Sequence, residues 1–143
     1  GDGPERKVLQ KLIDDNHLNN RIKILGWKTQ QEVAKYMANA DVFVFPTIRE
    51  VGGNVLLEAM AAGLPLIVPN YGGPSELINS KVGIKIELAE QDIFLKSYVT
   101  SMELLATDIE LRRKLAENAR QEAVAIHSWS MKGLQMKGIY ESS

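Results

Sequence analysis

Asp41-Val42-Phe43-Val44-Phe45-Pro46 is an apolar run that stops on a proline. Almost at once it is followed by Arg49-Glu50-Val51-Gly52-Gly53-Asn54-Val55-Leu56-Leu57-Glu58-Ala59-Met60-Ala61-Ala62-Gly63-Leu64-Pro65. The first run reads as a strand that is apolar on both faces, as a central parallel strand is. The glycine pair Gly52-Gly53 makes the turn, the helix starts near Asn54, and Gly63 ends it. Pro65-Leu66-Ile67-Val68-Pro69 is the next strand, and it closes on a second glycine pair, Gly72-Gly73. Strand, glycine turn, helix, parallel strand is the repeating unit of a doubly wound sheet. The fold class expected is therefore α/β, a three-layer Rossmann-like parallel sheet with helices on both faces.

The chemistry of this stretch is that of an anion site with carboxylates beside it. Glycines let a ligand approach the backbone, because no Cβ stands in the way. A helix opening above the strand ends offers free N–H groups and a dipole that favours negative charge, so phosphate is the expected occupant. Glu50 precedes the turn and Glu58 lies one turn inside the helix. Acids beside a phosphate repel it unless they bond something uncharged, and sugar hydroxyls suit a carboxylate acceptor. Phosphate together with hydroxyls suggests a sugar nucleotide.

The two glutamates with Gly53 between them, the run Glu58-Ala59-Met60-Ala61-Ala62-Gly63-Leu64-Pro65 and the later Gly72-Gly73-Pro74-Ser75-Glu76-Leu77-Ile78 resemble the retaining glycosyltransferases of the GT-B fold, family 4 in particular. The resemblance covers nearly the whole chain. It implies a donor-binding domain, the C-terminal half of a two-domain enzyme that transfers a sugar from a nucleotide diphosphate sugar with retention at the anomeric carbon. By resemblance Glu50 bonds hydroxyls of the donor sugar and is the catalytic candidate, and Glu58 bonds the ribose. The turn at Gly52 and the N–H groups of Gly53, Asn54 and Val55 hold diphosphate or sugar oxygens. Gly72 and Gly73 line the donor sugar pocket, and Trp27 or Lys28 flanks the base. One departure stands out: many relatives carry Gly-Phe-Gly after the first glutamate, where this chain has Val51-Gly52-Gly53. The aromatic is lost, which changes contacts near the sugar.

The rest of the chain fits around that core. Its 143 residues suit one nucleotide-sugar-binding domain, and 45% hydrophobic with 24% charged residues is ordinary for a globular protein. The net charge of −1 gives no reason to expect a nucleic acid or an anionic membrane as partner, and the absence of cysteine excludes thiol chemistry. No apolar run reaches membrane-span length and no signal peptide is seen, so a cytoplasmic location is expected, with any membrane association through the absent half. Gly1-Asp2-Gly3-Pro4 resembles the turn that ends a strand in the family, and the strand before that one carries the Arg and Lys that hold the diphosphate. Both strands, and the N-terminal acceptor domain, are expected to lie outside this chain, which alone is expected to have little or no transferase activity. No cofactor is implied beyond the donor, a UDP- or GDP-sugar for preference. No Asp-x-Asp pair sits at a strand end, so no metal site is expected.

In order, the pattern predicts a helix from Glu5 to Asp15 with Val8, Leu9, Leu12 and Ile13 inward. A strand is expected over Arg21–Gly26, and a helix over Gln30–Ala38 capped by Thr29 with Val33, Ala34 and Met37 inward. A strand at Val82–Ile86 precedes a helix from Glu90 to Ala106 with Ile93, Phe94, Tyr98, Val99, Met102 and Leu105 inward. A second helix, Asp108 to Ile126, carries an ion-pair spacing from Glu110 to Lys114. His17 reads as a turn residue, Asp108 and Glu110 as solvated, and Trp129 and the methionines as core. Two other classes remain open at this point. A nucleotide-sugar 2-epimerase of the same fold would carry a different motif. A receiver-type binding module would need an acidic pair at the end of its first strand and a lysine at a late strand end, and neither is found.

Overall fold

The computed structural model describes residues 2–49 and 53–141. The chain divides into two compact units, residues 1–35 and 36–143.

In the first unit, helix α1 (Arg6–Asp15) is followed by a turn in which His17 takes a left-handed conformation, φ 55°. Of the expected inward face of α1 only Ile13 is buried; Val8, Leu9 and Leu12 are about half exposed. The segment 21–26 is not a strand. Among the described residues no strand hydrogen-bonds to it, and Ile22 and Leu25 are exposed. An alternating pattern supplies the face of a strand but not the neighbour that completes its ladder. Helix α2 (Gln30–Ala38) begins as expected with Thr29 at its cap. The Glu32 N–H donates to Thr29 Oγ1 at 3.3 Å, and the Thr29 N–H donates back to Glu32 Oε2 at 2.9 Å, a reciprocal capping box. The Thr29 N–H, then its hydroxyl, hold the Glu32 carboxyl below its ordinary value of 4.5. A carboxyl depressed in the folded state contributes stability above its unfolded value, and that contribution is lost as pH falls through the folded one. The stability gap between the chain and its Glu32→Gln variant should therefore be open at pH 6 and close as pH falls below 4.5, read from urea midpoints across that range.

The second unit holds the sheet. Strands β1 (Phe43–Val44), β2 (Leu66–Pro69) and β3 (Gly83–Ile86) run parallel in the order β1-β2-β3. Every residue of β2 is buried, as the middle of a covered parallel sheet requires. Strand β1 differs from expectation: it is half-buried, and it is the edge of the described sheet. Helices α5 (Gln91–Thr107) and α6 (Ile109–Glu122) cover one face. Tyr98, Leu105 and Leu115 pack there on Ile67 and Ile86, with Val42, Val44 and Ile84 beside them. On the other face Lys85 Nζ donates to the Ser75 carbonyl of helix α4 (Gly72–Leu77) at 2.6 Å. The fold is the α/β arrangement predicted, with helices on both faces of a parallel sheet.

Helix α3 (Asn54–Ala61) joins β1 to β2 and buries Leu56, Ala59 and Met60 completely. It ends where Gly63 was expected to end it. Gly63 is left-handed at φ 77°, its N–H bonds to Met60 O at 2.9 Å, and the Leu64 N–H bonds to Ala59 O at 3.0 Å. That double bond pattern satisfies two terminal carbonyls at once.

The inward face of α5 is narrower than the pattern suggested. Phe94, Tyr98, Ser101 and Leu105 pack inward, while Ile93, Val99 and Met102 are exposed. Asp108 is not merely solvated: its carboxylate accepts the Leu111 N–H at 2.9 Å and caps α6. Asp108→Ala should cost about 1 kcal/mol, the usual value of such a cap, in a denaturant titration. Glu110 pairs with Arg113 at 3.5 Å rather than with Lys114. A π-helical turn, Ala123–His127, links α6 to helix α7 (Trp129–Glu141). No residue of α7 is buried, and Trp129, expected in the core, is 92% exposed. Met37 and Met60 are core as expected, whereas Met102 and Met136 are exposed.

Candidate functional site

Because the three strands are parallel, their carboxyl ends share one edge of the sheet, where ligands of open α/β folds sit. Three connections leave that edge: the loop from Phe45 toward α3, the turn from Asn70 into α4, and the exit of β3 at Glu87. The last two are tied together. The Asn70 side-chain amide donates to Glu87 Oε1 at 2.6 Å, and the Asn70 N–H donates to Ile86 O at 2.7 Å.

Gly53 is the N-cap of α3, left-handed at φ 59° and buried. The first bond of the helix runs from the Leu56 N–H to the Gly53 carbonyl at 2.8 Å. The N–H groups of Asn54 and Val55 thus have no acceptor within the helix, which is how a helix start offers donors to an anion. A Cβ on Gly53 would lie 3.4 Å from Leu56 Cδ1 and 3.7 Å from Leu77 Cδ2, and a non-glycine residue is strained at this φ. Gly53→Ala should therefore cost about 1–2 kcal/mol in thermal or urea unfolding.

Glu58 lies four residues after Asn54 and three after Val55, so its side chain shares a face of α3 with theirs, about one turn from the helix start. It is exposed rather than buried among the apolar residues of its helix, because Leu56, Ala59 and Met60 occupy the inward face. Gly72, left-handed at φ 58°, and Gly73 open α4 at the end of β2, so the second glycine pair stands at the same sheet edge as Gly53. Glu50 and Gly52 lie outside the described residues.

Trp27 and Lys28 belong to the first unit. The Trp27 side chain is 74% exposed, and its N–H donates to Asp2 Oδ2 at 2.9 Å. Asp2 also accepts from Arg6, and the Trp27 N–H and the Arg6 guanidinium together hold its carboxyl below the ordinary range. Lys28 Nζ is 3.6 Å from Glu32 Oε1.

The sequence reading missed the Asn70–Glu87 and Lys85–Ser75 bonds. The only available signals were a polar residue beside the second glycine pair and a lysine inside an otherwise apolar strand. Two open surface hollows, one along Arg120 and Val124 and one at the start of β3 beside Asn79 and Gly83, contain none of the predicted site residues. Among the described residues no group of three or more His, Asp or Glu is placed to hold a metal ion, and no helix is long and apolar enough to cross a membrane.

Comparison with known proteins gives this arrangement a family. The family model described as Glycosyl transferases group 1 matches residues 1–122. The chain is 33% identical over 141 residues to alpha-D-kanosaminyltransferase of Streptomyces kanamyceticus, covering 98% of this chain and 36% of that protein. It is 31% identical over 125 residues to the lipopolysaccharide core biosynthesis glycosyltransferase LpsE of Rhizobium meliloti, covering 87% and 35%. Among solved structures, sucrose-phosphate synthase of Thermosynechococcus elongatus superposes with a TM-score of 0.79 at 29% identity, covering 99% of this chain and 35% of that one. HepE of Anabaena, solved in complex with UDP, gives 0.74 at 26%, covering 96% and 36%. The chain thus spans about a third of the length of these relatives. With a parallel sheet covered by helices on both faces, glycine turns at its carboxyl edge and matches along its length, the chain belongs to the glycosyl transferases of group 1, the GT-B glycosyltransferases.

Proposed function

We propose that this chain is the donor-binding part of a retaining glycosyltransferase that takes its sugar from a nucleotide diphosphate sugar, UDP- or GDP-linked. The observation that carries the reading is the start of α3. Two N–H groups without an acceptor inside the helix stand at the carboxyl edge of a parallel sheet, with Glu58 one turn behind them and the Gly72-Gly73 turn beside them. The solved complexes of HepE with UDP and with UDP-glucose support a nucleotide-sugar ligand, since they share the fold at 25–26% identity.

In this reading the amides of Gly53, Asn54 and Val55 neutralise diphosphate or sugar oxygens, and Glu58 accepts the ribose hydroxyls. Glu50 bonds hydroxyls of the transferred sugar, and Gly52, Gly72 and Gly73 leave room for it. Trp27 and Lys28 flank the base. The protein's contribution to the rate is placement of the donor and stabilisation of the departing diphosphate, with no resident cofactor. The enzyme works in the cytoplasm, and the acceptor is bound by a further domain.

The test is a calorimetric titration of the chain with UDP, GDP and ADP and then with UDP-glucose and GDP-mannose. Selective binding of one nucleotide supports the reading and names the base. If neither this chain nor one extended at its N-terminus binds any of them, the reading fails. Retention is tested in the full-length enzyme by the anomeric configuration of the product in NMR, where inversion would refute it. The 143-residue chain alone should show no measurable turnover.

A further inference from the structure

Helix α4 cannot hold itself together. Its six residues, Gly72-Gly73-Pro74-Ser75-Glu76-Leu77, include two glycines and a proline. Such a sequence has poor helix propensity, and it falls far short of the roughly twelve residues at which an isolated helix becomes marginally stable. Strand β3 holds it at two points instead. Ahead of the helix, the Asn70 side chain reaches Glu87 at the exit of β3. At the far end, the Pro74 carbonyl receives the Ile78 N–H at 3.1 Å. The next carbonyl, Ser75 O, is among the last four of the helix and has no amide donor within it. Lys85 Nζ supplies that donor at 2.6 Å.

Lys85 sits in β3 between Ile84 and Ile86 and is half-buried, where a cation costs free energy unless it is bonded. Its amine meets the carbonyl end of α4, where positive charge is favoured. The last turn of α4 in turn meets the start of α3. A Cβ placed on Gly53 would lie 3.7 Å from Leu77 Cδ2, so the Leu77 side chain backs the N-cap of α3. Leu77 is two residues on from the carbonyl that Lys85 holds. Asn54 and Val55, directly after Gly53, carry the amides that have no acceptor within α3.

We propose that Lys85 is a positioning residue for the donor site: through Ser75 O it holds Leu77 against Gly53, and so sets the aim of the Asn54 and Val55 amides at the diphosphate. The proposal rests on the donor-binding reading above. Lys85 acts through α4 and does not itself touch the donor.

The consequence falls on the phosphates and not on the nucleoside. Lys85→Met keeps an unbranched side chain and removes the donor and its charge. It should weaken UDP binding about three- to tenfold, the size of one hydrogen bond lost, and leave uridine binding unchanged. GDP and guanosine replace this pair if the chain selects guanine. Lys85→Arg keeps a cationic donor and should stay within about twofold of the unaltered chain. Leu77→Ala is the comparison that changes no charge. It removes the contact with Gly53 and should weaken UDP binding by a similar factor, again without affecting uridine. The two changes share one path, so the double variant should lose little more than the larger single loss.

The experiment measures both affinities by NMR titration at a temperature where circular dichroism shows each variant folded. In the free chain it follows the amide shifts of Gly53, Asn54, Val55 and Leu77. Moved shifts at the start of α3, a loss confined to UDP that does not add between Lys85→Met and Leu77→Ala, and recovery in Lys85→Arg support the proposal. Unmoved shifts at Gly53, Asn54 and Val55 in Lys85→Met overturn it whatever the ligand does. An unchanged affinity for UDP overturns it, as does an equal loss for UDP and uridine. Losses that simply add, or a Lys85→Arg chain as weak as Lys85→Met, overturn it too. If the unaltered chain and its N-terminally extended form bind neither UDP nor GDP, the donor-site reading falls first and this proposal with it.

Discussion

Gly83→Ala should destabilise the second unit by about 3 kcal/mol or more. Gly83 opens β3 and pairs with Leu66 of β2. A Cβ there would sit 2.4 Å from the Leu66 carbonyl oxygen, 3.1 Å from its carbon and 3.2 Å from Ile78 Cγ2. The first two are backbone atoms of a fully buried strand, and Ile78 is itself buried, so none can step aside as the end of a flexible side chain would. The strands must separate, and the Leu66 N–H bond to Val82 O at 3.3 Å lies at the point of separation. Gly133→Ala and Gly138→Ala provide the contrast. Both glycines lie within α7 with nothing within 4 Å of the added carbon, so each should raise helix stability by up to about 1 kcal/mol. Urea unfolding of the three variants separates the cases, and a Gly83→Ala chain with an unchanged midpoint would mean that β2 and β3 are not packed as described.

The stretch from Asp41 to Gly73 was legible because its signals are local. The alternation of strand, glycine turn and helix is written in adjacent residues, and Gly63 stops α3 through bonds reaching only three and five residues back. The Thr29 cap was legible for the same reason. What the pattern could not supply is whether an apolar face has a partner. Val8, Leu9 and Leu12 on α1, Ile93 and Val99 on α5, and Trp129 on α7 all have the spacing of inward residues, and all are exposed. Periodicity records which side of a helix is apolar, and burial depends on another element being there to meet it. The segment 21–26 fails as a strand on the same ground.

The candidate site divides similarly. Gly53, the Gly72-Gly73 pair and the start of α3 could be placed from sequence, since backbone donors depend only on where a helix begins. The bonds between elements could not. Nothing near Tyr98 in the chain points to Phe45, whose carbonyl accepts the Tyr98 hydroxyl at 3.3 Å. Likewise Asn70 and Glu87 are brought together by the parallel pairing of β2 with β3.

Glu58→Ala should weaken nucleotide binding about ten- to a hundredfold while leaving the fold intact. Glu58 lies about one helical turn after Asn54 and Val55, so a diphosphate held at their N–H groups brings like charge within about one turn of it. Such an arrangement favours binding only if Glu58 spends its acceptor capacity on hydroxyls of the same ligand, and the ribose attached to the diphosphate is the part at hand. A hydrogen bond to a charged group contributes about 1.5–3 kcal/mol, which corresponds to the loss expected. The helix itself should not suffer, because Glu58 is exposed and alanine is the better helix former. The decisive comparison is UDP against its 2′,3′-dideoxy analogue, or the GDP pair if the chain selects guanine. The unaltered chain should prefer the intact ribose by that factor, and Glu58→Ala should bind both forms alike. If the variant still discriminates against the dideoxy ligand, the ribose is read by another residue and the carboxylate at position 58 has a different task.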